Sequence, residues 1–76
     1  MTEQDQRAMA AGQLRWRKVV ASGVIATMQQ INDGRFSVWT SRTDSFRWFA
    51  SWDSAYRALR RVNGFGVGTV ERYVLA

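Results

Sequence analysis

The pattern of apolar and polar residues becomes typical of β-structure from Val19 onward. Residues 24–31 are rich in β-branched and apolar side chains and predict a strand. An Asp33-Gly34 pair follows as a hairpin signal, and the alternating residues 36–40 predict the returning strand. After a polar turn, residues 46–49 predict a short third strand.

The apolar period changes to that of a helix after Ser51, a favourable N-cap residue. Apolar residues then recur at i, i+3, i+4 and i+7, which is the core stripe of an amphipathic helix. The stripe consists of Ala55, Ala58, Leu59 and Val62. The opposite side of the helix carries Arg57, Arg60 and Arg61. Gly64 is expected to end the helix, and residues 67–75 predict a final strand.

The first 14 residues differ from the rest of the chain. Thr2 and Asp5 have the spacing of a helix N-terminal capping pattern, so we expect either a marginal helix over residues 2–14 or a disordered tail. Residues 15–76 are expected to form a single domain. Its apolar stretch at residues 19–28 is too short to span a membrane and is interpreted as buried strand rather than as a targeting signal.

The predicted fold class is α+β, with strands and helix in the order β-β-β-α-β. One amphipathic helix would pack on a face of a small antiparallel sheet, preceded by the marginal N-terminal helix or tail. Three antiparallel strands backed by a C-terminal helix resemble the DNA-binding domains of some plant transcription factors and the arm-binding domains of phage integrases. That likeness concerns architecture alone, and it implies DNA binding. The final strand departs from that plan.

Strand alternation divides the aromatic side chains between the two faces of the predicted sheet. The residues expected in the core beneath Leu59 are Phe36, Val38, Phe46 and Trp48. The residues expected on the other face are Trp39, Arg47 and Phe49. Ten aromatic residues are too many for one helix to cover, so we expect some apolar surface to remain exposed as an interface.

The composition excludes much enzymatic chemistry. The chain has no Cys and no His, which excludes thiol and imidazole nucleophiles, zinc fingers and imidazole metal sites. Lys18, the only lysine, belongs to a basic run that we expect to be solvated, and the six acidic residues are scattered. We therefore expect a non-enzymatic protein without cofactor or metal. The absence of cysteine favours the cytoplasm.

The charge is unevenly distributed along the chain. Residues 15–76 contain ten basic and four acidic residues, a net charge of +6, and nine of the ten basic residues are arginine. Arginine makes bidentate contacts with phosphate and stacks on bases, which favours nucleic acid as the partner. A GC-rich genome would produce the same bias towards arginine, so composition alone leaves both explanations open.

Two functions fit these features. The first is a small basic domain that binds nucleic acid, most simply DNA, through arginine and aromatic residues. The alternative is a phage- or plasmid-type accessory protein that inhibits host defence or transcription by binding a protein partner, or that forms a homodimer, through an aromatic sheet face. No membrane is expected to be involved. The candidate binding residues are Arg15, Arg17, Lys18, Trp39, Arg42, Arg47, Phe49, Arg57, Arg60 and Arg61.

Overall fold

A computed structural model gives the protein two helices and one antiparallel sheet, and it describes residues 2–31 and 33–75. The elements are α1 (Glu3–Ala10), β1 (Leu14–Val20), β2 (Gly23–Gln30), β3 (Phe36–Thr40), β4 (Ser45–Phe49), α2 (Trp52–Arg61) and β5 (Thr69–Val74). The predicted α+β class is confirmed. The observed order is β-β-β-β-α-β after the N-terminal helix, so the sheet has one strand more than the sequence predicted.

The additional strand is β1, which contains the basic run that was expected to form a solvated cluster. The five strands lie in the order β4-β3-β2-β1-β5, and every neighbouring pair is antiparallel. β1 therefore has a partner on both sides, and its alternate side chains point to opposite faces of the sheet. The sheet therefore differs from the three-stranded architecture of the DNA-binding domains named above, because it has five strands.

The core lies between one face of the sheet and α2. Its buried apolar residues are Met9, Leu14, Ala26, Met28, Phe36, Val38, Ala55 and Leu59. Leu59 is 0% exposed, as the apolar stripe of the helix predicts. α1 adds Met9 to the same core, so the helices lie on one side. The other side of the sheet is called the open face below.

The N-terminal segment forms the helix that was one of its two predicted states. The backbone N–H of Asp5 donates to Oγ1 of Thr2 at 3.1 Å, which confirms the capping pattern. The helix is shorter than expected, because it ends at Ala10 and Leu14 is already the first residue of β1. Arg72 on β5 pairs with the Asp5 carboxylate at 2.6 Å and links this helix to the sheet edge.

Lys18 is buried, which corrects the expectation that it is solvated. It is 1% exposed and lies on the helix side of β1. Its Nζ donates to the backbone carbonyl oxygens of Arg60, Val62 and Gly64 at 2.5, 2.5 and 2.7 Å. An ammonium group has three donors, and these carbonyls at the end of α2 would otherwise lack an intrahelical partner. Burial lowers the pKa of Lys18, and the nearby Arg60 guanidinium lowers it further.

The β3–β4 hairpin has a register that differs from the predicted one. Trp39 is opposite Phe46 and Val38 is opposite Arg47. Residues directly opposite each other share a face, so Phe46 and Trp48 lie on the open face, not in the core as predicted. Arg47 and Phe49, which were predicted on the open face, lie on the helix side. A shift of one residue between two strands produces such a reversal.

The turn between these strands explains the register. Thr40 pairs with Ser45, so four residues form the turn, and Asp44 adopts a left-handed conformation with φ of 48°. The backbone N–H of Asp44 donates to the Thr40 carbonyl at 2.9 Å. Hydroxyl contacts link Thr43 to Thr40 at 2.9 Å and to Ser45 at 2.7 Å. These bonds within the turn determine which face each residue of β4 occupies.

We expect Gly34→Val to destabilise the protein. Gly34 has φ of +87° in the β2–β3 turn, as its hairpin signal predicts, and its N–H donates to the Ile31 carbonyl at 2.9 Å. An added Cβ would meet no atom within 4 Å, so backbone strain alone sets the cost. The free energy of unfolding in urea should fall by about 1–2 kcal/mol. Gly34→Asn is the control and should lose less, since Asn tolerates positive φ. Equal losses in both variants would contradict this explanation.

Lys18→Met tests the bond between β1 and the end of α2. Methionine keeps an unbranched apolar side chain but removes all three donors. Leaving even one buried carbonyl unsatisfied costs about 1–3 kcal/mol, so we expect the free energy of unfolding to fall by at least that amount. Arg15→Met, at an exposed position of the same strand, should change it by no more than about 0.5 kcal/mol. If both variants prove equally stable, the three hydrogen bonds contribute nothing to folding.

Candidate functional site

An open groove lies between α2 and the β3–β4 hairpin. It has a volume of about 360 Å³. Its lining includes five of the ten candidate residues from the sequence: Arg42, Arg47, Phe49, Arg57 and Arg61. We call it the arginine groove. The sequence pattern predicts Arg57 and Arg61 on the opposite side of the domain from Arg47 and Phe49. The structure instead brings these four residues together in one groove.

Three elements supply the arginines of the groove. Arg57 and Arg61 are four residues apart on α2, so both project from one side of the helix. Arg47 lies on β4 opposite Val38, and this register points it towards the helix. Its guanidinium carbon lies 5.4 Å from the ring centre of Phe49, two residues further along the same face. Arg42 reaches the groove from the turn before β4.

The arginine groove is strongly basic. Its lining contains no acidic residue among residues 2–31 and 33–75. Within those residues, its four arginines form neither an ion pair nor a side-chain hydrogen bond. The arginines elsewhere that do pair with carboxylates are Arg7, Arg17, Arg35 and Arg72. The groove therefore concentrates uncompensated positive charge, which favours an anionic ligand.

A second feature lies across β4, on the open face. Phe46 and Trp48 are 53% and 51% exposed, and their ring centres are 6.1 Å apart with an angle of 20° between the planes. Trp39 shares this face, as predicted, and is partly buried. Its indole Nε1 donates to the Asp44 carboxylate at 3.0 Å, which fixes the ring against the turn. We call Trp39, Phe46 and Trp48 the aromatic platform.

Arg35 extends the aromatic platform with a guanidinium plane. Its guanidinium carbon lies 5.2 Å from the ring centre of Trp48. Asp33 holds Arg35 in place, because its carboxylate accepts from the Arg35 backbone N–H at 3.1 Å and from Nε at 2.7 Å. The backbone hydrogen bond is the main reason why the pKa of Asp33 lies below its usual value. Phe46 and Trp48 were not among the candidate residues, because the face they occupy depends on the register of β4. Arg35 was not among them either, because its place beside Trp48 depends on a contact between two different hairpins.

The basic run of β1 does not act as one patch. Arg15 and Arg17 lie on the open face opposite Tyr73 and Glu71 of β5. Arg17 pairs with Glu71 at 2.6 Å, and its guanidinium carbon lies 4.4 Å from the Tyr73 ring centre. Lys18 points to the other side, where its donors bind the three carbonyls. A ligand at Lys18 would compete with these carbonyls for its donors.

Arg60 is separated from the other helix arginines. It lines a different cavity, also of about 360 Å³, together with Phe65 and the buried Lys18. Its guanidinium carbon lies 5.6 Å from the Phe65 ring centre, and that of Arg61 lies 5.7 Å from the same ring. Phe65 is thus close to both Arg60 and Arg61, and Arg61 is one of the groove arginines.

Among the described residues there is neither a metal-binding cluster nor a membrane-spanning helix. Across residues 2–31 and 33–75, no three acidic side chains lie close enough together to hold a metal ion. Over the same ranges, neither helix has the length and apolar character needed to cross a membrane.

Comparison with protein-family models, with curated proteins and with solved structures finds no match, so the geometry of the arginine groove and the aromatic platform is the basis for a functional proposal.

Proposed function

We propose that this protein is a small nucleic-acid-binding domain that contacts the phosphate backbone through the arginine groove. The observation that carries the proposal is the convergence of four arginines from a helix, a strand and a turn, with no carboxylate among them in residues 2–31 and 33–75. Maintaining several like charges close together costs free energy, and a bound polyanion offsets that cost.

The choice of arginine favours phosphate over other anions. A guanidinium presents a planar set of donors that matches phosphate oxygens in a bidentate geometry. Four such groups along an open groove suit a ligand with regularly repeated phosphates better than one small anion. Contacts of this kind position a nucleic acid without reading its bases. We therefore expect binding with little dependence on sequence.

Arg57→Gln should weaken binding to mixed-sequence oligonucleotides by a similar factor for every sequence. Arg57 is exposed on α2 and has no partner among the described residues, so its loss leaves the fold intact. If it contacts one phosphate, the slope of log K against log salt should fall by roughly one unit. Fluorescence anisotropy across a series of salt concentrations measures both quantities.

Arg7→Gln is the matched control for this experiment. It changes the net charge by the same amount, and Arg7 lies on α1, outside the arginine groove. We expect it to lower affinity only slightly and to leave the salt slope unchanged. Identical effects of the two substitutions would show that net charge, not the groove, attracts the nucleic acid.

A protein partner or a second copy of the chain is the competing function, and the exposure of Phe46 and Trp48 favours it. Exposed aromatic side chains frequently anchor protein interfaces. A phage- or plasmid-type accessory protein of this class would dock through the aromatic platform. Such a complex would depend little on salt, whereas phosphate binding depends on it strongly. Sedimentation over a range of concentrations at two salt concentrations separates the two functions.

A further inference from the structure

The strand β4 connects the arginine groove with the aromatic platform. Arg47 and Phe49 point from it into the groove, and Phe46 and Trp48 point from it onto the open face. β4 is an edge strand, because the sheet order places β3 on one side and no strand of the described residues on the other. A ligand that crosses this edge can therefore contact both features at once.

The aromatic platform has the geometry that favours stacking. The rings of Phe46 and Trp48 are close to parallel, and both remain half exposed although they neighbour each other. The Arg35 guanidinium adds a third flat group at Trp48. Unpaired bases stack on aromatic rings and on guanidinium planes, and such stacking tolerates any base sequence.

Charged side chains border the aromatic platform. Arg35, beside Trp48, pairs with Asp33. Asp44 accepts from the Trp39 indole, so the positive charge available to a phosphate backbone here is that of Arg47 and the arginine groove, across β4. The platform thus combines exposed aromatic rings with nearby arginines. Within a duplex, stacking on neighbouring base pairs covers the faces of each base, so a base must be unpaired and out of that stack to lie on these rings.

We propose that the ligand is single-stranded nucleic acid, whose bases stack on Phe46 and Trp48 while its phosphates lie in the arginine groove across β4. This inference rests on the proposed function, because it assigns the ligand class of the same groove. It adds a second contact surface and a preference for unpaired strands, neither of which phosphate binding alone requires.

Three oligonucleotides of equal length test the inference: a mixed-sequence single strand, its duplex, and a single strand whose central nucleotides are abasic. The wild-type protein should bind the single strand most tightly at a fixed salt concentration. Trp48→Leu should weaken single-strand binding roughly 5- to 150-fold, the range measured for the loss of one stacked base. It should leave binding of the abasic strand almost unchanged. Phe46→Leu should have the same effect.

Tyr73→Leu is the matched control, since Tyr73 is also an exposed aromatic residue, 40% exposed, but lies on β5 at the opposite edge of the sheet, outside both the groove and the platform. It should bind all three oligonucleotides like the wild type. Because Phe46 and Trp48 are both about half exposed, their leucine variants should keep the free energy of unfolding close to that of the wild type. Measuring that quantity in urea separates a loss of stacking from a loss of fold.

The outcomes distinguish the inference from the proposed function. Equal affinity for the single strand and the abasic strand, with Trp48→Leu binding like the wild type, would overturn the inference and leave phosphate binding intact. Failure to bind any of the three oligonucleotides at low salt would overturn both. A salt-insensitive dimer that Trp48→Leu disrupts, with single-strand affinity unchanged, would assign the platform to self-association and overturn the inference.

Discussion

The hydrogen bonds from the buried Lys18 amine to the end of α2 are the constraint on which the rest of the structure depends. Lys18, Ala26, Thr40 and Ser45 form one row across four strands, through their backbone pairing. The three carbonyls that Lys18 binds hold the last turn of α2 above this row. Positive charge also stabilises the negative end of a helix. The position of α2 in turn places Arg57 and Arg61 beside the β3–β4 hairpin.

The same bonds explain why a small chain tolerates a buried amine. Removing an amine from water is costly, and burial accordingly lowers its pKa. Three carbonyl acceptors offset that cost, and Lys18 in turn supplies them with donors where the helix ends. The interaction also joins residues that are more than 40 positions apart in the sequence, so it connects the first strand with the segment that leads to the last.

The arginine groove and the aromatic platform depend on a different local feature, the four-residue turn before β4. The left-handed Asp44 and the hydroxyl contacts around it set the register in which Trp39 opposes Phe46. That register creates both surfaces together, since it points Arg47 into the groove and leaves Phe46 and Trp48 on the open face. A shorter or longer turn by one residue would exchange these faces.

Local patterns in the sequence determined the amphipathic helix with Leu59 at its centre, the β2–β3 hairpin with Gly34 at positive φ, and the α+β class. Those features depend on neighbours in the chain, where periodicity and turn chemistry are directly visible. Sequence also selected the arginines of the groove, because their residue type alone suits phosphate. Only the tertiary structure decided the burial of Lys18, the strand β1 and the faces of β4. The burial of Lys18 and the pairing of β1 depend on partners that are distant in the sequence. The faces of β4 depend on its register with β3, which the alternation of aromatic and basic residues along β4 does not specify.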